Sequence, residues 1–169
     1  VKLNVEATPD LEAQIIMDSH TSDDVIKARG NGNLQIEIDN NINVKIYGNY
    51  EITEGEYNFS FQGALRKKFE VDNESSISFD GDPMTNCNMN INAKYQTTAS
   101  LSDLLESSVT SYLNSNIVKV DCIANITGPL LQPIIKFDIK LPTAEEEVQR
   151  LVKAAINTDD MMSQQMVSL

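Results

Sequence analysis

The side chains that could do acid–base or nucleophilic chemistry are few in this sequence. Its single histidine, His20, lies in the polar segment DSHTSDD, between two runs rich in apolar residues. General acid–base and nucleophilic catalysis need such a group within hydrogen-bond reach of its reaction partner. The neighbouring serines have no spacing that selects one of them as a nucleophile. We therefore expect His20 to be a solvated loop residue, and we expect no enzyme active site.

Motifs for metal or phosphate binding are equally weak. The segment DGDP, residues 80–83, looks like part of a calcium loop but lacks the spaced oxygen ligands and the distal glutamate. The segment RGNG, residues 29–32, lacks the Lys and Ser/Thr of a phosphate loop. Both segments are predicted to be turns between strands. The sequence predicts no metal site and no cofactor.

Two cysteines, Cys87 and Cys122, fit no metal-ligand spacing. Both stand at apolar positions of strand-like runs. Two buried thiols and one disulfide between strands both agree with this placement, and buried thiols are the default for such positions.

The chain is strongly acidic, with 25 Asp and Glu against 13 Lys and Arg and a net charge of −12. Such a surface repels phosphate backbones and anionic membranes, so the sequence predicts no nucleic-acid partner. No apolar run is long enough to cross a bilayer as a helix. The chain starts without Met and ends within a helical pattern, so we interpret residues 1–169 as a single domain excised from a longer protein.

Alternation of apolar and polar residues, typical of strands, runs through most of the chain. In NLQIEID, residues 33–39, every second side chain is apolar. In YEITEGEYNFSF, residues 50–61, two such runs flank Glu54 and Gly55, which predicts a hairpin with its turn at that pair. The connections are short, as between antiparallel strands. The predicted fold is therefore mostly β, a long antiparallel meander with one apolar face on each strand.

Helical spacing interrupts this alternation near the C-terminus. Leucines in ASLSDLLESSVTSYL predict a short helix near residues 101–113. C-terminal helices are predicted from about residue 143, where Thr143 and Glu146 have the spacing of a capping box. A second short C-terminal helix is predicted to start at NTDD, residues 157–160.

Strands with one apolar face allow two kinds of interior. The sheet can close into a sandwich or barrel filled by its own side chains. It can also fold into a trough whose inner face stays open for acyl chains. Periodicity alone favours the filled core but does not exclude the trough.

Three segments in order resemble the C-terminal domain family of TamB, a subunit of the bacterial translocation and assembly module. They are GNYEITEGEYNFSFQGALRKKFEVDNESSISFDGDP (residues 48–83), NINAKYQTTASLSDLL (90–105) and ITGPLLQPIIKFDIKLP (126–142), the last followed by an acidic helix. Each motif is weak alone, whereas the ordered set is specific. The resemblance covers residues from about 30 to 169. Phe79 departs from it, at a position where tryptophan is expected.

The resemblance implies a periplasmic domain of an inner-membrane-anchored protein in a Gram-negative bacterium, folded as an elongated sheet with an apolar trough. Members of this family are implicated in phospholipid transport to the outer membrane and in outer-membrane protein assembly. The implied partners are phospholipid acyl chains and an outer-membrane barrel of the TamA type. Two alternatives stay open: a chaperone-like module that pairs with strands of outer-membrane barrels, and a purely structural β-domain with a filled core.

A conduit for lipid must shield a whole acyl chain from water. Exposing about 16 carbons costs roughly 12 kcal/mol at about 0.8 kcal/mol per methylene. An apolar trough offsets this without catalytic groups. On this hypothesis the groove is lined by the apolar residues that alternate along the strands, namely Leu34, Ile36, Ile38, Val44, Ile46, Tyr57, Phe59, Phe61, Phe69, Phe79, Met89, Ile91, Val120, Ile126 and Phe137.

Overall fold

A computed structural model describes residues 1–17, 24–61, 65–105 and 117–169. Within these ranges the chain forms the strands β1 (Lys2–Ala7), β2 (Ala13–Ile16), β3 (Val25–Ile38), β4 (Val44–Phe61), β5 (Leu65–Val71), β6 (Ser76–Gly81), β7 (Cys87–Ser100), β8 (Ile117–Gly128) and β9 (Ile134–Lys140), and the helices α1 (Leu101–Leu105), α2 (Glu146–Ala155) and α3 (Asp159–Ser168). His20, residues 106–113 of the predicted first helix and the side chain of Phe61 lie outside this description.

The strands form one nine-stranded sheet in the order β1-β3-β4-β5-β7-β8-β9. The order follows the chain except at two short strands. β2 pairs with the start of β3, whose later part pairs with β1. In the same way β6 pairs with the first part of β4 and β5 with its last part. The predicted mostly-β antiparallel fold is confirmed.

The predicted hairpin at Glu54 and Gly55 is wrong, because residues 44–61 form one continuous strand, β4. Along β3, Arg29 pairs with Glu54 whereas Gly30 pairs with Ile52, which leaves Thr53 as an extra residue in β4. This β-bulge moves the apolar positions from even to odd numbers without turning the chain. The Thr53 hydroxyl donates to the carbonyl oxygen of Arg29 at 2.9 Å across the bulge.

The predicted turn at RGNG is also wrong, because all four residues lie inside β3. The glycines there serve a close approach of two backbones. A Cβ atom at Gly30 would lie 2.1 Å from the carbonyl oxygen of Glu51, next to the bulge. Glycine inside a strand commonly marks such an approach, and sequence alone does not distinguish it from a turn.

The segment DNN, residues 39–41, has the residue types of a turn, and the structure has a turn there. One oxygen of the Asp39 carboxylate accepts from the backbone N–H groups of Asn41 and Asn43 at 2.8 and 2.9 Å. These hydrogen bonds lower the pKa of Asp39, and the bond from the backbone of Asn43 has the largest effect. Ile42 at the tip has φ 64°, a left-handed conformation that costs a residue with a Cβ roughly 1–2 kcal/mol.

The segment DGDP behaves similarly and its predicted turn is confirmed. Asp82 accepts hydrogen bonds from the backbone N–H groups of Met84 and Thr85 at 2.8 and 3.2 Å. These two bonds lower the pKa of Asp82, so its carboxylate stays ionised down to lower pH. The turn is thus explained by an aspartate that accepts hydrogen bonds from the backbone that follows it.

The chain forms two compact units, the first made of Val1–Ala93 and Ala124–Ile135, the second of Lys94–Ile123 and Lys136–Leu169. Cys87 in the first unit and Cys122 in the second are both buried, and neither is part of a disulfide. In the first unit, the backbone N–H of Leu130 donates to the Cys87 sulfur at 3.3 Å. Burial is the main cause that raises the pKa of the Cys87 thiol.

The three helices of the described residues all lie in the second unit, where α1 contacts α2. The predicted capping box is wrong, because α2 begins at Glu146 with Glu145 as its N-cap and no side-chain capping bond. At α3, by contrast, the Thr158 side chain accepts from the backbone N–H of Met161 at 3.1 Å. The predicted start of this helix at NTDD is therefore confirmed.

The close approach at Gly30 gives a test of the bulge. We expect Gly30→Ala to lower the free energy of unfolding by about 1–3 kcal/mol, because the new methyl group meets backbone that cannot turn away. Asn31→Ala, at an exposed position of the same strand, should change it by less than about 0.5 kcal/mol. Urea unfolding measures both, and equal stabilities of the two variants would contradict the described register.

Candidate functional site

Apolar side chains of the first unit form cross-strand rows on one face of the sheet. One row joins Ile26, Tyr57 and Phe69 across β3, β4 and β5. Another joins Val5, Leu34 and Gly48 across β1, β3 and β4. Because the pairing register aligns positions of the same parity, alternation within each strand becomes a continuous apolar surface.

One end of this surface, which we call the closed end, is a packed core. It consists of Ile26, Ala28, Tyr57, Phe59 and Phe69, all of them buried. The ring centroids of Tyr57 and Phe69 lie 5.8 Å apart, and those of Tyr57 and Phe59 lie 6.3 Å apart. These are the tilted geometries that aromatic pairs prefer. No side chain of the closed end is accessible to a ligand without rearrangement.

A buried carboxylate stands within the closed end. Asp24, the residue before β3, is fully buried, and one of its oxygens accepts a short hydrogen bond from the Tyr57 hydroxyl. The other oxygen accepts from the backbone N–H of Ser60 at 3.1 Å. Sequence reasoning placed Tyr57 as an apolar wall residue and missed this pairing. No local sequence pattern indicates this hydrogen bond, because 33 residues separate Asp24 from Tyr57 and only the tertiary structure brings them together.

The Tyr57 hydroxyl is held in its protonated form. Burial first, then the negative charge of Asp24 and the hydrogen bond to it, strongly raise the pKa of Tyr57. A phenolate beside the Asp24 carboxylate would place two like charges in the core. The Tyr57 hydroxyl is thus a neutral hydrogen-bond donor to Asp24. Such a pair is better suited to stabilising the fold than to transferring protons.

The other end of the apolar surface, which we call the open end, remains accessible. It is made of residues on β1, β3 and β4, namely Leu3, Val5, Leu34, Ile36, Ile38, Val44 and Ile46. Leu3 is 46% exposed and Val5 is 39% exposed, and the others are half-buried or exposed. Leu3 and Val5 were absent from the predicted groove residues, although their alternation is visible in the sequence.

Glycine explains part of this accessibility. Gly48 pairs with both Leu34 and Phe79, and Gly81 pairs with Ile46. Both glycines have positive φ, 122° and 135°. Because they carry no side chain, the apolar rows are interrupted there and their neighbours stay uncovered.

The predicted groove residues therefore fall into distinct groups. Seven are buried: Tyr57, Phe59, Phe69, Met89, Ile91, Val120 and Ile126. Leu34, Ile36, Ile38, Ile46, Phe79 and Phe137 are half-buried, and Val44 is exposed. Val120 and Phe137 belong to the second unit, and the side chain of Phe61 is outside the described residues.

Within the described ranges, no group of three or more His, Cys, Asp or Glu residues could hold a metal ion. No helix in the same ranges is long and apolar enough to cross a membrane. The surface that distinguishes this part of the chain is apolar and partly open, and it carries no reactive group.

A family model described as the TamB C-terminal domain matches residues 1–168. The chain belongs to this family. Comparison with curated proteins and with solved structures found no match. TamB proteins belong to the Gram-negative envelope and are not known as enzymes. Membership is consistent with a role in outer-membrane protein assembly or lipid transport. The match also includes the first 29 residues, which the sequence resemblance did not cover.

The hydrogen bond between Asp24 and Tyr57 is expected to stabilise this TamB domain, and removing it tests that expectation. We expect Tyr57→Phe to lower the free energy of unfolding by about 1–3 kcal/mol, because it leaves a buried carboxylate oxygen unpaired. The matched control is Tyr50→Phe in the same strand, also buried, whose hydroxyl makes no hydrogen bond within the described residues. Chemical unfolding should show less than about 0.5 kcal/mol for the control.

Alkaline pH gives a second test of the same bond. In the unfolded chain Tyr57 loses its proton near its ordinary pKa of 10.0, whereas the folded protein retains that proton. Above pH 10 the unfolded state therefore binds fewer protons, and stability falls by up to about 1.4 kcal/mol per pH unit from this group. The loss should be shallower in Tyr57→Phe. Parallel stability curves for variant and wild type between pH 9 and 11 would contradict the assignment.

Proposed function

We propose that this domain carries phospholipid acyl chains on the open end of its apolar surface, as a periplasmic, non-enzymatic part of a lipid route to the outer membrane. The observation that supports the proposal is a registered apolar surface left accessible on a domain of the TamB family. Soluble proteins keep exposed apolar patches small unless they have a use for them.

The proposal assigns different tasks to the two ends of the surface. Acyl chains lie on the open end, where Leu34, Ile36 and Ile38 are half-buried and Leu3 and Val5 are exposed. The closed end is a core that holds β3 and β4 in register. The six buried groove residues of the first unit thus support the lipid surface instead of contacting lipid, namely Tyr57, Phe59, Phe69, Met89, Ile91 and Ile126.

The energetics of the open end suit transfer better than tight storage. A methylene group that leaves water gains about 0.8 kcal/mol. A partly exposed surface covers only one side of an acyl chain, so the chain gains part of that amount and can move on. Side chains of similar chemistry along β1, β3 and β4 give no single preferred position. A TamA-type barrel in the outer membrane is the partner proposed to receive the cargo.

An arginine scan across the two ends tests this assignment. We expect Ile36→Arg to yield folded protein, because the long stem can lie on the open end while its head reaches water. The matched variant Ile26→Arg, in the same strand and on the same face, buries an unpaired charge in the closed end and should unfold. Circular dichroism and thermal melting measure the folding of each.

The lipid itself is then measured on the folded variant. Wild-type protein should carry phospholipid detectable by mass spectrometry after organic extraction and should bind a fluorescent fatty acid. Ile36→Arg should carry less phospholipid and bind less fatty acid, because its charged guanidinium group would stand on the surface where the acyl chain lies. Wild-type protein without extractable lipid or fatty-acid binding would refute the proposal, as would full binding by folded Ile36→Arg.

One observation favours a second candidate function, the pairing of barrel strands. β1 is terminal in the strand order, and within the described residues it pairs only with β3. An edge strand with exposed Leu3 and Val5 is a template for another strand. A strand-pairing module should bind unfolded peptides from outer-membrane barrels and carry no lipid, which is the reverse of the pattern expected for a conduit.

A further inference from the structure

Three turns meet at one end of the first unit. Residues 39–43 join β3 to β4, residues 82–86 join β6 to β7, and residues 129–133 join β8 to β9. The first two are neighbours because Ile46 near the start of β4 pairs with Gly81 at the end of β6. The third is tied to the second by a hydrogen bond of 2.9 Å from the N–H of Leu131 to the carbonyl oxygen of Met84.

Large apolar side chains project from these turns into solvent. Ile42 is 80% exposed, Leu131 is 44% exposed, and Ile134 at the start of β9 is 52% exposed. We call these three residues the apolar tips. Single exposed apolar residues are ordinary on protein surfaces, but these three all stand at the end of the unit where the open end of the apolar surface also lies.

The backbone at Ile42 strengthens the case that exposure there has a use. Ile42 adopts the left-handed conformation, which Gly and Asn adopt far more readily than a β-branched residue. Its side chain gains little packing in return, since it is mostly exposed. Residues held in such conformations cluster at functional sites. The hydrogen bonds of Asp39 to both sides of the tip hold it out from the sheet.

The position of the apolar tips beside the open end indicates what they contact. This inference rests on the proposed function. Val44 begins β4 two residues after Ile42 and belongs to the open end, so Ile42 extends the acyl surface beyond the sheet, and Leu131 and Ile134 stand at the same end of the unit. An acyl chain that leaves the sheet here avoids water only if this end touches another apolar phase. The charge of the chain limits which apolar phase this can be. Ionised Asp39 and Asp82 stand in two of these turns, on a chain of net charge −12.

We propose that the apolar tips insert into the surface of a zwitterionic phospholipid bilayer and dock this end of the domain there. Shallow insertion of a few apolar side chains is a common mode of interfacial binding and scales with the apolar area buried. Anionic bilayers are disfavoured because the acidic surface repels them. Lys45 beside Asp39 offsets this repulsion only locally.

The test is sedimentation of the 169-residue chain with phosphatidylcholine vesicles, repeated with vesicles rich in phosphatidylglycerol. Wild-type protein should bind the phosphatidylcholine vesicles more strongly. Ile42→Asn and Leu131→Ser should each weaken that binding by about tenfold, the effect of removing one large apolar side chain from a lipid contact. The matched control is Ile16→Ser, a residue 67% exposed on β2 of the same unit but away from the three turns, which should leave binding unchanged.

A second readout separates docking from a structural role of Ile42. Asn fits the left-handed conformation better than Ile, so Ile42→Asn should melt at the same temperature as wild type or higher while binding vesicles less. A variant that loses binding because it is less stable would show the opposite change in melting temperature and would overturn the proposal.

The remaining outcomes are equally decisive. Wild-type protein that does not sediment with phosphatidylcholine vesicles refutes docking to a bilayer, and so does an equal loss in Ile16→Ser. Binding of an added barrel protein that depends on the tips, without vesicle binding, would assign them to a protein partner instead. Fatty-acid binding by the open end is measured separately, so lipid uptake without docking leaves the proposed function intact, and docking without lipid uptake refutes only that function.

Discussion

The β-bulge at Thr53 is the constraint on which the apolar surface of the first unit depends. β4 is 18 residues long and has apolar residues at even positions in its first part and at odd positions in its last part. Without an extra residue, one of the two parts would turn its apolar side chains to solvent. The bulge places Ile52 and Tyr57 on the same face, so one strand serves both the open end and the closed end.

The two ends differ in what covers them. At the closed end, aromatic rings from β4 and β5 pack on one another, and the carboxylate of Asp24 fastens β4 through Tyr57 and Ser60. At the open end, glycines in the rows and a short edge strand leave aliphatic side chains half-covered. A rigid core beside an uncovered surface of the same chemistry would keep that surface in shape with or without lipid, as the proposed function requires.

The acidic character of the chain fits this division. Charged groups lie on the polar face of the strands, where Arg29 pairs with Glu54 and Lys68 with Glu56 at distances of 4.0 and 3.0 Å. Exposed pairs of this kind contribute little to stability. Their effect is on long-range electrostatics, because a net negative surface repels phosphate backbones and anionic membranes.

The sequence by itself determined the strand content, the antiparallel pairing, the turns at Asp39 and Asp82, and the start of α3, because each depends on local alternation or on a side chain that binds nearby backbone. It also carried the family, through an ordered set of motifs.

Tertiary structure decided whether Glu54 and Gly55 form a turn or follow a bulge, since a change of parity has the same signature in both cases. It also decided that RGNG continues a strand, that Asp24 binds Tyr57, and that α2 begins at Glu146 without the predicted cap. Above all, it divided the predicted groove residues into buried and accessible ones. Burial depends on which strands lie alongside and where their glycines fall, and neither is encoded in the period of a single strand.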